Sequence, residues 1–336
     1  MIHTVEMDFE FQNTIPGPPV SMQSLQQAST CSDEVTVSTW QNQWLDQIRK
    51  NSKKYGSFAE NSIAQLYQRE KGKAAILVGS GPSLKKNIAD LREAKDICKV
   101  SCLHNFHLLE DNGAPADYYV TLDAGSVTIE EVYEGGSRTP EEYWEITKDR
   151  VLLAWIGTHP ELLSRWQGKI LWFNSPIGQP LKGEIDAIER FNLMVSSGGN
   201  VLGACLYIAK GILGAPVSIF VGADFSFSYT KQFHGWSSKY DGKLGDALRH
   251  TDIWGNKVFT WQSYYNFKCW FEMIACKVPG VYINATEGGI LGAYPQGNIA
   301  QIQQMTLKRA LAIYNMAGEI EEQIRNPQTE NLKILF

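Results

Sequence analysis

Seven short apolar runs, separated by segments with helical periodicity, constrain the fold of this chain of 336 residues more than any other feature. Each run has about the length of a strand, and several are continuously apolar, which is typical of strands covered on both faces. Alternation of such strands with helices predicts an α/β fold, in which a mostly parallel sheet carries helices on both faces. The predicted strands are 74–79, 97–103, 117–123, 150–157, 169–174, 217–224 and 280–286, and the helices between them include 84–94, 160–166, 181–191 and 200–213.

Four segments with different patterns divide the chain. Residues 1–39 are rich in Gln, Ser, Thr and Pro without a sustained period, which predicts a poorly ordered leader. Residues 40–72 form an N-terminal helical segment with two predicted helices, and 73–292 form the alternating core. Residues 293–336 form a C-terminal helical segment. Closing helices are predicted at 261–276 and 299–324.

Composition and charge limit the partners of the protein. The net charge of -5 and the lack of a Lys/Arg block argue against broad nucleic-acid binding. The most apolar stretch, 203–222, is interrupted by Lys210, glycines and Pro216, so no membrane span is predicted. No secretory signal is visible, and the six cysteines include no CxxC pair. We therefore expect reduced thiols and a cytoplasmic location.

One group of potential metal ligands is Cys102, His104 and His107. Alternation of side chains at the end of a strand gives the same spacing, so we expect structural roles for the two histidines. The sequence also lacks a D-x-D pair, which weakens the case for an obligatory divalent metal. We therefore expect no bound metal.

The first predicted strand leads into a glycine-rich turn, and then a helix begins. Glycine permits a sharp turn and close approach of a ligand, and free N–H groups at a helix start attract phosphate. The spacing is neither that of a Walker loop nor G-x-G-x-x-G, because Leu84 stands where the third glycine would be. A phosphate loop and a plain tight turn are both open at this point. The turn consists of Gly79, Ser80, Gly81, Pro82 and Ser83.

Two further loops of small polar residues follow later in the chain. Ser and Asn in such loops can cap a helix or donate to an anion. Three such loops at the ends of predicted strands favour a nucleotide-like ligand in a shared crevice. The second loop is Ser196, Ser197, Gly198, Gly199 and Asn200, and the third includes Asn284, Thr286, Glu287, Gly288 and Gly289.

Polar side chains end three of the predicted strands. Asp123 and Asp224 each follow a strand, where a carboxylate can orient a sugar hydroxyl, hold a metal, act as a base or cap a turn. Asn105 follows the second strand, where an amide can contact a base or ribose. We expect all three near the ligand.

Histidine is the usual general base near neutral pH. His234 lies in a polar, glycine-containing loop after Asp224, and such a loop can close over a crevice as a lid. His250 is the competing candidate, and a third interpretation is that neither titrates during a reaction. We favour His234. No G-x-S-x-G elbow is present.

Five motifs in order resemble a known family. The stretches ILVGSGPSL, ADYYVTLDAG, SSGGNVLGACLYIAKGILGAPVSIFVGADFSFS, GNKVFTW and NATEGGILG resemble the motility accessory factor (Maf) flagellin glycosyltransferases and the MptE-like 6-hydroxymethylpterin diphosphokinases. The first loop and SSGG are also similar to the donor site of bacterial sialyltransferases that use CMP-activated nonulosonic acids. The resemblance implies a Rossmann-like fold.

The resemblance also implies roles for particular residues. Asn105 would contact the donor, and His234 would be the base. The first loop, through Gly79, Gly81, Pro82 and Ser83, would line the nucleotide phosphate, and Ser197 and Gly198 would lie beside the nucleotide or the sugar carboxylate.

Three functions follow as hypotheses. The first is a glycosyltransferase that uses a CMP-linked acidic sugar, without a firmly implied cofactor, and a small-molecule, glycan or protein acceptor. The second is a diphosphokinase that transfers pyrophosphate from ATP to a hydroxymethylpterin-like alcohol, with Mg²⁺ and Asp123 as a ligand. The third is a non-catalytic nucleotide-binding or assembly protein. A homo-oligomer is compatible with each.

Overall fold

The computed structural model describes residues 22–176, 181–227, 247–294 and 297–314. Within these residues an eight-stranded sheet and a two-stranded hairpin form. The sheet strands are β1 (Ala74–Val78), β2 (Cys98–Cys102), β3 (Tyr118–Thr121), β4 (Val151–Trp155), β5 (Lys169–Phe173), β6 (Val217–Val221), β9 (Val281–Asn284) and β10 (Gln303–Gln304), and the hairpin strands are β7 (Leu248–Thr251) and β8 (Lys257–Thr260).

Helices lie between most of the strands. They are α1 (Met22–Tyr55), α2 (Leu84–Glu93), α3 (Phe106–Asp111), α4 (Val127–Glu130), α5 (Pro140–Ile146), α6 (Pro160–Arg165), α7 (Lys182–Ile188), α8 (Val201–Tyr207), α9 (Gln262–Lys277) and α10 (Leu307–Tyr314). Helix α8 continues as one π-helical segment, Ile208–Ile212. Among the described helices, none combines the length and the apolar character that a bilayer crossing requires.

The strand order of the large sheet reverses beside β1. The order is β10-β9-β6-β1-β2-β3-β4-β5, and every neighbouring pair is parallel. The chain therefore leaves β1 toward one edge and returns to β6 on the other side. In open α/β sheets, ligands bind outside the carboxyl ends of the strands at such a reversal.

All seven predicted strands are present, and the predicted α/β, Rossmann-like fold class is confirmed. The central strands β1, β2 and β6 are buried at every position. That burial explains their continuously apolar sequences, because helices cover both faces of a parallel sheet.

The N-terminal region differs from the prediction in two ways. Helix α1 begins at Met22, so the leader predicted over 1–39 is helical from that residue, and the buried Val37 extends its packed face ahead of Trp40. The second predicted helix is reduced to a single 3-10 turn, Ile63–Leu66.

Long-range backbone bonds explain why that second helix does not form. The N–H of Gln68 donates to Ile212, and the N–H of Glu70 donates to Leu213. Gln68 also has a positive φ of 57°, which ends a right-handed helix. The segment is therefore paired with the end of the α8 region.

Helix α1 holds two loops at the carboxyl edge of the sheet. The amides of Gln43 and Gln47 donate to the carbonyl of Ala124, which follows β3. The amide of Asn51 donates to the carbonyls of Ile156 and Thr158, which follow β4. These buried bonds position the segment that contains Asp123.

Two later elements also differ from the prediction. The hairpin β7–β8 was not predicted, because its strands are short and only partly buried. The C-terminal helix begins at Leu307 rather than at residue 299, since Gln303–Gln304 first pairs with β9. Its predicted continuation past residue 314 lies outside the described residues.

Candidate active site

A cavity of about 450 Å³ opens at the carboxyl ends of β1, β2, β3 and β6, where the strand order reverses. This volume is in the range of small-molecule sites. Its walls come from strand ends, from the start of α8 and from α9. The lining residues are Gly79, Ser80, Gly81, Cys102, Leu103, His104, Val120, Thr121, Asp123, Glu131, Asn200, Val201, Leu202, Gly222, Ala223, Asp224, Phe225, Ser226, Tyr264 and Phe267.

The loops after β1 and β6 are packed backbone against backbone. The N–H of Gly79 donates to Val221 at 2.8 Å, and the N–H of Gly81 donates to Gly222 at 2.8 Å. A Cβ atom on Gly79 would lie 2.5 Å from the carbonyl oxygen of Gly222, which itself has a φ of +61°. Close approach of the two loops therefore requires glycine here.

Asp224 belongs to the loop after β6, and its carboxylate lies at the start of α2. Both of its carboxylate oxygens accept from the N–H of Ser83 at 3.3 Å, and a Cβ atom on Gly81 would overlap its Oδ2. Burial raises the pKa of Asp224 to about 6, although the bonds from Ser83 oppose the rise. The Asp224 carboxylate thus accepts from a donor of the loop that the resemblance assigns to a nucleotide phosphate.

Most backbone N–H groups of the first predicted loop already donate hydrogen bonds within the protein. Gly79, Gly81 and Ser83 donate their N–H groups within the protein, and Pro82 has no N–H. Ser80 and the two glycines line the cavity, whereas Ser83 is buried. A ligand contact by this loop stays a prediction.

The opposite wall carries a histidine and two carboxyls. His104 Nε2 and Glu131 Oε1 lie 3.5 Å apart, and Asp123 lines the same cavity. Burial, with a smaller effect from the charge of Asp123, raises the pKa of Glu131 to about 8. Asp123 is exposed, and its Oδ1 accepts from the N–H of Gly125 at 2.7 Å.

Sequence reasoning missed Glu131 and assigned His104 a structural role. The useful signal was the position of His104 just past the end of β2, since the strand-end rule that selected Asn105 applies equally to its neighbour. Glu131 gave no such signal, because it follows the short helix α4.

Asn200 contributes a polar group at the start of α8. Its Oδ1 accepts from the N–H of Gly203 at 2.9 Å and so caps the helix. Its Nδ2 is buried without a hydrogen-bond partner among the described residues, and the residue lines the cavity. A buried amide donor of this kind is costly unless a ligand or water accepts from it.

The rest of the second loop lies beside the lining residues rather than among them. Ser196 precedes Ser197, whose Oγ accepts from the N–H of Gly199. Gly198 and Gly199 have positive φ, and Cβ atoms on them would contact Trp270 and Phe267. These residues shape the turn that presents Asn200.

The third loop braces the segment after β6. Thr286 Oγ1 accepts from the N–H of Ala223 at 3.0 Å, Glu287 Oε1 accepts from the N–H of Leu307, and Gly288 packs against Ser83. These three residues are not among those that line the cavity. Their predicted contact with a ligand remains untested.

Asn105 is buried behind the cavity wall. Its Nδ2 donates to the carbonyls of Val78 and Gly79 and to the hydroxyl of Ser101. It therefore fixes the end of β1 against β2, and a contact with the donor stays a prediction.

The competing candidate, His250, is not among the residues that line the described cavity. His250 is buried on β7, where its Nδ1 contacts the backbone of Thr251, and burial lowers its pKa to about 4. His234 lies outside the described residues. Within the described ranges, Cys102, His104 and His107 form no group arranged to hold a metal ion.

Aromatic rings complete the cavity. Phe225 follows β6, and Tyr264 and Phe267 project from α9. Flat apolar faces beside hydrogen-bonding groups are suited to a heterocyclic base. The cavity thus combines aromatic faces, an amide donor and titratable side chains.

Comparisons with known proteins agree with this architecture and with the predicted resemblance. The chain is similar to the structure of a Maf glycosyltransferase from Magnetospirillum magneticum AMB-1, with a TM-score of 0.53 and 13% identity over 79% of this chain and 38% of that one. This likeness shows the fold, and the chain spans well under half of that protein. No curated protein matches the chain. The family model described as 6-hydroxymethylpterin diphosphokinase MptE-like matches residues 46–230. That match covers more than half of the chain, which therefore belongs to the MptE-like family.

Proposed function

We propose that this protein is a nucleotide-dependent transferase whose donor binds in the cavity at the strand reversal. The observation that carries the proposal is the lining of that cavity. It brings aromatic rings, the unpartnered Nδ2 of Asn200 and acid–base side chains to the sheet edge where α/β proteins bind ligands. The family and the similar structure are both named after enzymes that transfer a group.

Within this class we place first a glycosyl transfer from a CMP-linked acidic sugar, which the similarity of the first loop and SSGG to sialyltransferase donor sites supports. Asp224 is buried and already accepts from Ser83, and Glu131 has a pKa of about 8. The bond from Ser83 leaves Asp224 less available to a metal, and a metal would have to displace the proton of Glu131. In the described ranges, no three His, Cys, Asp or Glu side chains are arranged around a common metal position. We therefore derive no step through Mg²⁺.

In the proposed reaction, the acceptor oxygen attacks the anomeric carbon of the donor. The bond from that carbon to the phosphate oxygen breaks, and its electron pair leaves with the phosphate. A base takes the acceptor proton, and the sequence candidate for that role is His234. Asn200 Nδ2 would donate to the departing phosphate, which stabilises the charge that develops there.

A diphosphokinase is the second candidate, and the name of the family favours it. ATP would then be the donor and a hydroxymethylpterin-like alcohol the acceptor. Asp123 is exposed at the cavity and would be the side chain nearest to a metal–phosphate complex. A non-catalytic nucleotide-binding protein is the third candidate.

Two product assays with the full chain distinguish the candidates. One measures CMP released from CMP-N-acetylneuraminate, and the other measures AMP released from ATP in the presence of 6-hydroxymethylpterin, each with and without EDTA. We expect EDTA-insensitive release of CMP. Release of AMP that EDTA abolishes would favour the diphosphokinase, and no release from either donor would favour the non-catalytic protein.

His234 is tested in the same assay. If it is the base, His234→Ala should lose most of the CMP release that the wild type shows. Equal turnover of the two proteins would remove His234 from the mechanism.

A further inference from the structure

We propose that His104 and Glu131 act together as the acid–base pair that takes the proton from the acceptor hydroxyl. The inference rests on the proposed transferase function and names a different base from the one that the sequence favoured. It is carried by geometry, because the two side chains lie 3.5 Å apart and both line the cavity.

The fold holds this pair from both sides. His104 lies two residues after the end of β2, and the next residue, Asn105, is anchored by three hydrogen bonds to the ends of β1 and β2. Glu131 follows α4, and its backbone carbonyl lies 3.4 Å from Nδ1 of His107 on α3. Such fixed positions are what a proton-transfer group requires.

Among the described histidines, His104 is the one that lines the cavity. His107 is buried against the carbonyl of Glu131, and burial lowers its pKa. His159 caps α6, where its Nδ1 accepts from Glu161. His250 is buried on β7, and its pKa is lowered to about 4.

The electrostatic setting suits exchange of a proton near neutral pH. Burial raises the pKa of Glu131 to about 8, so its carboxyl competes with the neighbouring imidazole for one proton. The other titratable side chains that face the cavity are Cys102, Asp123, Asp224 and Tyr264. The Asp123 charge raises the pKa of Glu131 further and so strengthens its hold on a proton.

The acceptor O–H bond breaks, and its proton passes to the imidazole of His104. The acceptor oxygen bonds to the donor carbon as the bond from that carbon to the phosphate oxygen breaks, and the electron pair of that bond leaves with the phosphate. The Glu131 carboxyl orients the imidazole and, in its ionised form, stabilises the imidazolium. The proton leaves through the pair to water after the product dissociates. Glu131 is in this scheme a positioning residue, because it acts through His104.

Turnover of CMP-N-acetylneuraminate by His104→Asn tests the catalytic role. We expect a decrease in kcat on the order of 10²–10⁴-fold with little change in CMP affinity. His159→Asn is the matched control, because it makes the same change outside the cavity and asparagine also caps a helix. Equal turnover of His104→Asn and the wild type would overturn the inference while leaving the proposed function intact.

The pH dependence tests the pair itself. We expect Glu131→Gln to keep measurable turnover but to shift the rising limb of the pH–rate profile to lower pH, because the imidazole loses the neighbouring carboxylate that favours its protonated form. A merely structural role would lower the rate without moving that limb. A limb that stays in place would therefore contradict the pair.

An NMR titration of the unliganded protein covers the case in which the chosen donor is not turned over. The imidazole signals of His104 should show a step near pH 8 in the wild type, and Glu131→Gln should remove it. Identical titrations would overturn the inference. A wild type without turnover or nucleotide binding would overturn the proposed function and, with it, the catalytic role of the pair.

Discussion

At the scale of single residues, Gly81 and Asp224 are complementary in shape. The missing side chain of Gly81 leaves the space that the Asp224 carboxylate fills at the start of α2. A negative group at a helix N-terminus is favourable, because it accepts from free N–H groups. This contact joins the loops after β1 and β6 and forms part of the cavity wall.

Replacing Gly81 by alanine should disrupt that contact. The new Cβ would overlap Asp224 Oδ2 and lie 2.7 Å from the carbonyl oxygen of Gly222, so the backbone must shift. We expect Gly81→Ala to lower the free energy of unfolding by about 2 kcal/mol, measured by urea denaturation. Gly183→Ala is the control, since nothing lies within 4 Å of its added Cβ. Equal stability of the two variants would contradict the packing described here.

The raised pKa of Asp224 makes its contribution to stability depend on pH. Its folded pKa of about 6 exceeds the ordinary 3.8, so the folded state binds the extra proton and stability falls as pH rises through about 6. The rise corresponds to about 3 kcal/mol. Asp224→Asn lacks this loss, so its free energy of unfolding relative to wild type should rise between pH 4 and pH 7.5. Parallel pH profiles would be evidence against the raised pKa.

The first loop shows what single-residue reasoning can reach. The need for glycine at Gly79 and Gly81 was predictable from the turn between an apolar strand and a helix. The use of the Ser83 N–H was not, because its partner Asp224 lies 141 residues away in the sequence. A local motif shows that donors exist but not whether the protein already occupies them.

At the scale of elements, helix α1 holds the loops after β3 and β4 at the carboxyl edge of the sheet through side-chain hydrogen bonds. Asn51→Ala would remove the donor to the carbonyls of Ile156 and Thr158 and leave both buried acceptors without it. We expect a loss of about 1–3 kcal/mol in the free energy of unfolding. Asn42→Ala, at an exposed position of the same helix, should be neutral. A similar loss in both variants would mean that the Asn51 bonds do not determine stability.

The elements that were predicted correctly share one property. Each central strand is buried on both faces, so its own residues are sufficient to mark it as a strand. The hairpin β7–β8 was missed because its strands are short and only partly buried. The segment after the 3-10 turn at Ile63–Leu66 bonds to the distant backbone of Ile212 and Leu213, which local periodicity does not report.

At the scale of the whole molecule, the sheet order concentrates carboxyl groups at one cavity. Asp123, Glu131 and Asp224 line it, and its described lining includes no Lys or Arg. A phosphate bound there favours protonation of the two carboxyls with raised pKa, since protonation removes repulsion.

Nucleotide affinity should consequently increase as the pH falls from 8 to 6. The probe is the methyl ester of CMP, whose single phosphate charge does not titrate in this range, and the measurement is calorimetry in several buffers. Uptake of one proton on binding gives about a tenfold gain in affinity per pH unit at most. Glu131→Gln should flatten the dependence. Affinity that is constant with pH would show that the carboxyls do not face the phosphate.

Asn200 offers the most direct test of the claim that this cavity binds the nucleotide donor. Asn200→Asp keeps the oxygen that caps α8 but replaces the unpartnered Nδ2 by a negatively charged oxygen. The measurement is calorimetric titration with CMP and with ATP, and the wild type should bind. The control is Asn192→Asp, which adds the same charge at an exposed position outside the cavity lining and should also bind. We expect Asn200→Asp to lose that binding by at least about tenfold while staying folded. Equal affinity of all three proteins, or no binding of either nucleotide by the wild type, would contradict the account.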